Sequence, residues 1–234
     1  NYGEFLERCP PTHEVEIVEK TSWSCFHGID RWWSNCGCNS GGHPKWNQEW
    51  RTPLRDALDG LRDALAKPFE ERGRALLKDP WAARNDYIRV IHDRAGENVK
   101  RFLADHTVRT LSQDEQTVVL KLLEMQRHAM LMYTSCGWFF DELSGIETVQ
   151  VIQFAARAAQ LALEIFGDSV ESRFVVQLAL AKSNLPELEN GRHIYERLVR
   201  SAIVDWERVG AHYAVSSLFD PYPQKTRVYC YWAE

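Results

Sequence analysis

The sequence predicts an all-α fold: a bundle of about seven helices that carries one long Cys/Trp-rich loop near its N-terminus. Apolar residues recur at helical spacing through most of the chain after residue 50. Two capping-box patterns mark helix starts. By contrast, residues 21–50 show no helical period and hold five of the nine tryptophans, together with four glycines and one proline. The 234 residues suffice to bury a substantial core.

The first long helix is predicted to begin at Pro53. Proline is tolerated in a first helical turn, because the N–H that it lacks would have no partner there. Leu54, Leu58, Leu61 and Leu65 then repeat at three- and four-residue spacing. This spacing places them on one face of the helix, which is expected to be the face that meets the core.

Later helices are marked by their end signals. Ser112 and Glu115 form a capping box, in which each side chain bonds the backbone N–H of the other residue, and Ser144 and Glu147 repeat the pattern. Gly167 is predicted to end the second of these helices. The other predicted helices cover 81–93, 98–105, 170–182 and 192–209, and weak alternation predicts short strands over 13–19 and 227–232.

The sequence also predicts how the chain is divided. It begins with Asn1 rather than Met, so it is expected to be a fragment that starts inside a longer protein. Residues 1–20 are expected to be a linker from a missing upstream domain. Residues 21–234 are expected to form one helical domain, with the Cys/Trp-rich loop at 21–50. Short connections between the helices favour a single bundle.

Charge and composition exclude several classes of partner. The formal net charge is −5, and no Lys/Arg cluster is interleaved with aromatic residues, so no nucleic acid is expected. No apolar run reaches the roughly 20 residues that span a bilayer, so no membrane is expected either. The six cysteines are not spread as a disulfide framework, and three lie within 14 residues. That distribution favours a reducing compartment, and the cytoplasm is the expected location.

The loop contains a candidate metal site. Cys25-x-His27 and Cys36-x-Cys38 place four soft or borderline ligands close together in the sequence. Thiolates with an imidazole suit zinc, and three or four thiolates suit an iron–sulfur cluster, so either cofactor is expected. Two alternatives stay open: buried thiols that act as small apolar side chains, and a redox or disulfide pair.

A second candidate segment covers residues 134–142. Cys136 is a further candidate ligand, provided that this segment faces the loop. Asp141 and Glu142 are candidate polar site groups. The alternative is a connection between two helices, with Trp138 in the core and the two acids in solvent.

Four stretches carry a resemblance to a known family. They resemble the helical domain of unknown function 3536, which is found after the catalytic barrel in glycoside hydrolase family 57-type proteins. The stretches span most of the chain: Ser22-Trp-Ser-Cys-Phe-His-Gly, Cys36-Gly-Cys, Ser135-Cys-Gly-Trp-Phe-Phe-Asp-Glu-Leu-Ser-Gly-Ile-Glu and Gly210-Ala-His-Tyr-Ala-Val-Ser-Ser-Leu-Phe.

The resemblance implies an accessory domain that completes an α-glucan cleft beside an upstream catalytic barrel of the same polypeptide. In the related glucan branching enzymes, two Trp-containing segments approach the sugar. Trp23 and Trp138 would therefore line the glucan site, with Trp32, Asp141 and Glu142 as neighbouring candidate groups. The paired carboxylates of a glycosidase belong to the barrel. No residue here matches them, so the fragment alone is expected to be inactive.

The same comparison adds Cys136 to the ligand set. Where the branching enzymes have Gly after the first Trp, this chain has Ser24 followed by Cys25. Where they have Asp before the second Trp, it has Gly137 preceded by Cys136. Cys25 and Cys136 thus occupy matching positions in two segments that are expected to meet. Three hypotheses remain: a glucan-binding accessory domain, a metal or iron–sulfur module, and an inert interaction scaffold.

Overall fold

The computed structural model describes residues 1–228 and 231–233, and it confirms the all-α prediction. The described residues contain ten α-helical segments and one pair of antiparallel strands. The number of helices exceeds the predicted seven. The helices are α1 Tyr2–Arg8, α2 Arg51–Arg74, α3 Pro80–Asp86, α4 Ile88–His92, α5 Gly96–His106, α6 Gln113–Leu131, α7 Ile146–Phe166, α8 Glu171–Leu178, α9 Gly191–Ile194 and α10 Trp206–Ser216.

Helix α2 is the centre of the bundle. It packs against α3, α6, α7 and α8, and its predicted apolar face is buried along its whole length. Leu54 and Leu58 are fully buried, and Leu61 and Leu65 nearly so. Trp50, immediately before the helix, is fully buried as well. The N-terminal end of α2 therefore lies in the core, where the Cys/Trp-rich loop joins it.

Helices α6 and α7 pack tightly against each other, and one of the two capping boxes is confirmed. Ser112 Oγ accepts from the Glu115 N–H at 3.3 Å, and Glu115 accepts from the Ser112 N–H at 2.9 Å. The second box was wrong. Gly145 is the residue that precedes α7, with no side-chain cap, and the Ser144 N–H instead donates to Glu142 at 3.2 Å. Gly167 ends α7 with a φ of 72°, as predicted.

Two predicted helices are interrupted, which explains part of the larger count. The predicted 81–93 helix divides at Tyr87 into α3 and α4. The predicted 192–209 helix divides into α9, a π-helical turn at Tyr195–Val199 and a 3-10 turn at Arg200–Ala202. A new helix, α10, then begins because Asp205 accepts from the Arg208 N–H at 2.9 Å.

The two ends of the chain differ in their strands. The strand predicted over 13–19 was wrong, because these residues pair with no strand among the described residues and Val15 and Ile17 lie exposed. The single strand predicted over 227–232 was wrong, because the structure has two antiparallel strands, β1 Thr226–Val228 and β2 Tyr231–Ala233, and residues 229 and 230 lie outside the described residues. Within the described residues, no helix has the length and apolar character needed to cross a bilayer.

Candidate metal centre

Four side chains of the Cys/Trp-rich loop meet at one point. The Sγ atom of Cys25 lies 3.8 Å from that of Cys36 and 3.7 Å from that of Cys38. His27 Nδ1 lies 3.6 Å from the sulfur of Cys38 and 4.0 Å from that of Cys25. All four ligand atoms lie within 4.8 Å of one another. We call these four residues the thiol cluster. It unites the predicted Cys-x-His and Cys-x-Cys pairs.

Two glycines with left-handed backbone shape the loop around the cluster. Gly28 follows His27 with a φ of 76°, and a Cβ there would come within 2.4 Å of the Lys20 carbonyl oxygen. Its carbonyl accepts from the Ser22 hydroxyl at 2.8 Å, and this bond closes the turn. Gly37 also has a φ of 76° and lies between the two cysteines of the second pair. The left-handed geometry, which favours glycine, thus occurs beside both ligand pairs.

The electrostatics of the cluster favour one anionic sulfur near neutral pH. Burial opposes the ionisation of Cys25, but hydrogen bonds from the backbone of Arg31 and His27 and from the His27 and Cys38 side chains outweigh it. They lower the pKa of the Cys25 thiol from 9.0 to about 7. Burial raises the pKa of the Cys36 thiol, and the neighbouring Cys25 adds to that increase. A thiolate poised in this way is a competent metal ligand.

The segment that carries Cys38 is fastened to the helical body from two sides. Arg51, in the first turn of α2, donates from its guanidinium to the Cys38 carbonyl oxygen at 2.7 Å. Asp141 accepts from the Ser40 N–H at 2.9 Å and makes a very short hydrogen bond with the Ser40 hydroxyl. The second ligand pair is therefore held by residues that lie far away in the sequence.

The structure does not bring Cys136 to the thiol cluster, so the prediction that Cys136 is a further ligand was wrong. Cys136 is exposed and lines a separate shallow pocket with Ile146 and Phe154. The reason is the 3-10 turn at Ser135–Trp138, whose buried residues are Gly137 and Trp138. Burying these two residues leaves Cys136 on the outside of the turn.

The three tryptophans predicted to bind a sugar lie in different surroundings. Trp138 is only 1% exposed and is part of the core, so it is not available for stacking. Trp32 is partly buried, and its indole N–H donates to the Ser135 carbonyl oxygen at 3.0 Å. Trp23 is 91% exposed, with its ring centroid 6.0 Å from that of Phe139. Only Trp23 offers a largely open aromatic face.

The two predicted polar site groups are structural rather than solvated. Asp141 and Glu142 are both buried. Besides the Ser144 N–H, Glu142 accepts from the Asn184 N–H at 2.9 Å and from the Ser183 hydroxyl. The alternative interpretation, with both acids in solvent, was therefore wrong as well. Each carboxylate is fully used in tying one segment of the chain to another.

Two buried arginines near the cluster were not predicted from the sequence. Arg51 is fully buried, and Arg31 is 5% exposed with its guanidinium carbon 4.8 Å from the centroid of the Phe139 ring. A signal for Arg51 was present, because it precedes Leu54 and Leu58 by three and seven residues and so shares their core-facing side of the helix. No comparable signal identifies Arg31.

Comparison with known proteins identifies the helical body. The family model described as Domain of unknown function (DUF3536) matches residues 46–234. No curated protein and no solved structure is detectably similar to the chain. The match includes Arg51 and Asp141 but begins after Cys38, so the thiol cluster lies outside it. Because the match covers well over half of the 234 residues, the chain belongs to the DUF3536 family.

Proposed function

We propose that this chain is a helical accessory domain in which one zinc ion fixes the Cys/Trp-rich loop against the helical body. Cys25, His27, Cys36 and Cys38 would hold the ion. One observation carries the proposal: the four ligand atoms lie within 4.8 Å of one another. Four protein ligands fill a tetrahedral site and leave no open position, so the ion would be structural rather than catalytic.

The individual distances fit a tetrahedral ion. With Zn–S bonds of about 2.3 Å and Zn–N bonds of about 2.0 Å, two thiolates are about 3.8 Å apart, and a thiolate and an imidazole nitrogen about 3.5 Å. The two measured sulfur–sulfur distances are 3.8 and 3.7 Å. The two measured sulfur–nitrogen distances are 3.6 and 4.0 Å. Four of the six ligand pairs are thus spaced for a single ion.

The spacing favours zinc over an iron–sulfur cluster. Around a single ion, two sulfur ligands cannot be farther apart than two bond lengths, about 4.6 Å. The Cys25–Cys36 and Cys25–Cys38 sulfur pairs, 3.8 and 3.7 Å apart, lie inside this limit. An iron–sulfur cluster places several iron and sulfide atoms between its protein ligands, and it would require the loop to open.

The surroundings argue against the two other interpretations of the cysteines. A disulfide has a sulfur–sulfur distance of about 2.0 Å, whereas the closest pair here is 3.7 Å apart and the cysteines are free. Inert thiols would be packed among apolar side chains. Cys25 instead receives hydrogen bonds from two backbone groups and from His27. Unpaired thiolate ligands also require a reducing compartment, so the proposal includes the cytoplasm as the location.

Metal analysis tests the proposal directly. The 234-residue chain, purified without chelators, is expected to contain about one zinc per chain by mass spectrometry of the elements. Cys38→Ser should lose most of it, whereas Cys9→Ser, which changes an exposed cysteine outside the cluster, should retain it. Cobalt substitution should give the absorption of a tetrahedral thiolate site. Less than about 0.2 zinc per chain after reconstitution, or iron in its place, would contradict the proposal.

A second proposal concerns the protein that contains this domain. We infer that the domain is an accessory part of a glycoside hydrolase family 57-like enzyme, completing an α-glucan cleft beside an upstream catalytic barrel. Two exposed aromatic residues on the loop support it. Trp23 is 91% exposed, and the Phe26 side chain is fully open to solvent. Exposed aromatic rings are well suited to stack on sugar rings.

Titration calorimetry with maltooligosaccharides tests this second proposal. Binding is expected for the chain joined to its catalytic barrel, and Trp23→Ala should weaken it. Trp206→Ala is the control, because Trp206 is also exposed, at 70%, but lies in α10. Absence of binding to both the chain alone and the joined protein would exclude α-glucan recognition.

A further inference from the structure

Two buried arginines contact the thiol cluster, Arg51 through its guanidinium and Arg31 through its backbone. Arg51 is fully buried and Arg31 is 5% exposed. In the part of the chain that the structure describes, neither forms a salt bridge with a carboxylate, although twenty ion pairs occur elsewhere. Each also leaves a buried Nε atom without a hydrogen-bond partner. Both cations are therefore buried without the counter-charge that such groups normally have.

A buried charge without a partner is strongly destabilising, so a negative group has to lie nearby. Asp141 attracts Arg51, but it accepts its hydrogen bonds from Ser40. Arg51 reaches the thiol cluster itself through the Cys38 carbonyl oxygen, to which its guanidinium donates. Thiolates that hold an ion would supply the missing counter-charge. Three thiolates around a divalent ion keep one net negative charge, so this attraction persists after metal binding.

Arg31 contacts the first ligand pair, Cys25 and His27. A hydrogen bond from its backbone reaches the sulfur of Cys25. Its side chain lies over the ring of Phe139, and this contact holds the guanidinium in place. The two arginines repel each other, since Arg31 lowers the pKa of Arg51 in addition to the larger effect of burial.

Arg51 also fixes the position of one ligand. Its guanidinium donates to the Cys38 carbonyl oxygen at 2.7 Å and reaches the Phe140 carbonyl oxygen at 3.4 Å. On the far side of the same segment, Asp141 holds Ser40. The backbone of Cys38 is therefore placed by contacts with the helical body, independently of any ion.

We propose that Arg51 and Arg31 form the outer shell of the metal site: both supply counter-charge to the zinc–thiolate centre, and Arg51 also positions Cys38. This inference rests on the proposed zinc site. Outer-shell partners of metal ligands are commonly worth about 10- to 100-fold in metal affinity. Arg51 lies within residues 46–234, which match the family model, whereas Cys38, the ligand that it positions, lies before them.

Competition with a chromophoric chelator measures the effect on zinc affinity. Arg51→Met is expected to bind zinc about 10- to 100-fold more weakly than the wild type. Arg51→Lys keeps the charge but loses the planar fork, so it should restore part of the affinity. The control is Arg55→Met. Arg55 lies one turn along the same helix and donates to the Trp32 carbonyl oxygen at 3.2 Å, so it contacts the loop but not the cluster. The zinc affinity of the Arg55→Met variant should be unchanged.

A spectroscopic measurement separates this role from a purely structural one. In the cobalt-loaded protein, Arg51→Met should shift the thiolate-to-cobalt absorption, because the charge beside the sulfurs is lost. Circular dichroism checks that the helices remain. Where Arg51→Met does not fold, Arg31→Met removes the second guanidinium and should also weaken zinc binding.

The possible failures can be told apart. A wild-type chain that binds no zinc contradicts the proposed function itself. A wild-type chain that binds zinc, together with Arg51→Met and Arg31→Met variants of equal affinity and unchanged cobalt spectra, overturns only the outer-shell inference. Equal weakening by Arg51→Met and Arg55→Met would likewise overturn it, because the effect would then come from general contact with the loop.

Discussion

The indole N–H of Trp32 donates a 3.0 Å hydrogen bond to the backbone carbonyl oxygen of Ser135, which joins the N-terminal loop to the turn before α7. Nearby, the rings of Trp23 and Phe139 are 6.0 Å apart. The two segments that the resemblance predicted to meet do meet, but through aromatic side chains and a backbone carbonyl. The loop thus has two kinds of anchor: these contacts with the body and the thiol cluster inside it.

Metal removal is expected to loosen the loop and leave the helices intact. Residues 22–40 have few backbone–backbone hydrogen bonds, so their order depends on side-chain contacts and on the proposed ion. A chelator should therefore speed amide hydrogen exchange in peptides from 22–40. Peptides from α6 and α7 serve as the internal control. Equal exchange with and without chelator in the loop would show that the ion does not order it.

The parts of the fold that could be predicted are those determined by short stretches of sequence. The Ser112 capping box, the Gly167 helix end and the apolar face of α2 each depend on residues within a few turns. The four members of the thiol cluster also lie within 14 residues, so their meeting needs only local turns. Interactions between residues close together in the sequence were sufficient to predict each of these features.

The errors concern residues whose role depends on which side of a turn is buried. Cys136, Trp138 and Asp141 lie within six residues, and the sequence pattern does not distinguish the inner face of this turn from the outer one. The close contact of Gly137 with Val151 in α7 sets that choice, and this contact is a tertiary one. Assigning the wrong side made Cys136, an exposed thiol, a predicted ligand. It also made Trp138, a core residue, a predicted sugar-stacking residue.

Thiol labelling should distinguish Cys136 from the cluster. Cys9 and Cys136 are exposed, so both are expected to react rapidly with a maleimide in the folded protein. Cys25 and Cys36 should react slowly until a chelator is added, because bound thiolates are poor nucleophiles. Peptide mapping by mass spectrometry identifies the labelled sites. Protection of Cys136 that is lost on chelation would restore it to the ligand set.

His128 is expected to make stability depend on pH. It lies in α6 against the Phe154 ring, and its buried Nδ1 has no hydrogen-bond partner among the described residues. Burial lowers its pKa below 6.5, and Glu124, at 3.9 Å, opposes that shift only in part. A histidine that folds in its neutral form contributes stability that is complete above the unfolded pKa of about 6.5 and declines as the pH falls below it.

The measurement compares His128→Phe with the wild type by urea unfolding. Phe fills similar space beside Phe154 and does not titrate. Between about pH 7 and about pH 5.5, the wild type should lose more stability than the variant, because its buried ring resists protonation. An identical decline in the two proteins would show that His128 does not contribute to the pH dependence.

The turn before α7 supplies the most direct test of packing. A Cβ added at Gly137 would lie 2.4 Å from Val151 Cγ2 and 3.1 Å from Val151 Cβ. The backbone of Gly137 is not left-handed, so alanine is allowed there except for this contact. Gly137→Ala should therefore destabilise the protein by about 1–3 kcal/mol through overpacking. Val151→Ala alone should cost about 2 kcal/mol, because it leaves a cavity in the core.

In the double variant, the new methyl group of residue 137 occupies space that the shortened residue 151 has vacated. The combined loss measured by urea unfolding should then be smaller than the sum of the single losses, by about 1 kcal/mol. Gly210→Ala is the control, because nothing lies within 4 Å of its added Cβ in α10. That change should stabilise the helix by about 0.5–1 kcal/mol. Additive losses at Gly137 and Val151 would show that their contact does not set the buried side of the turn.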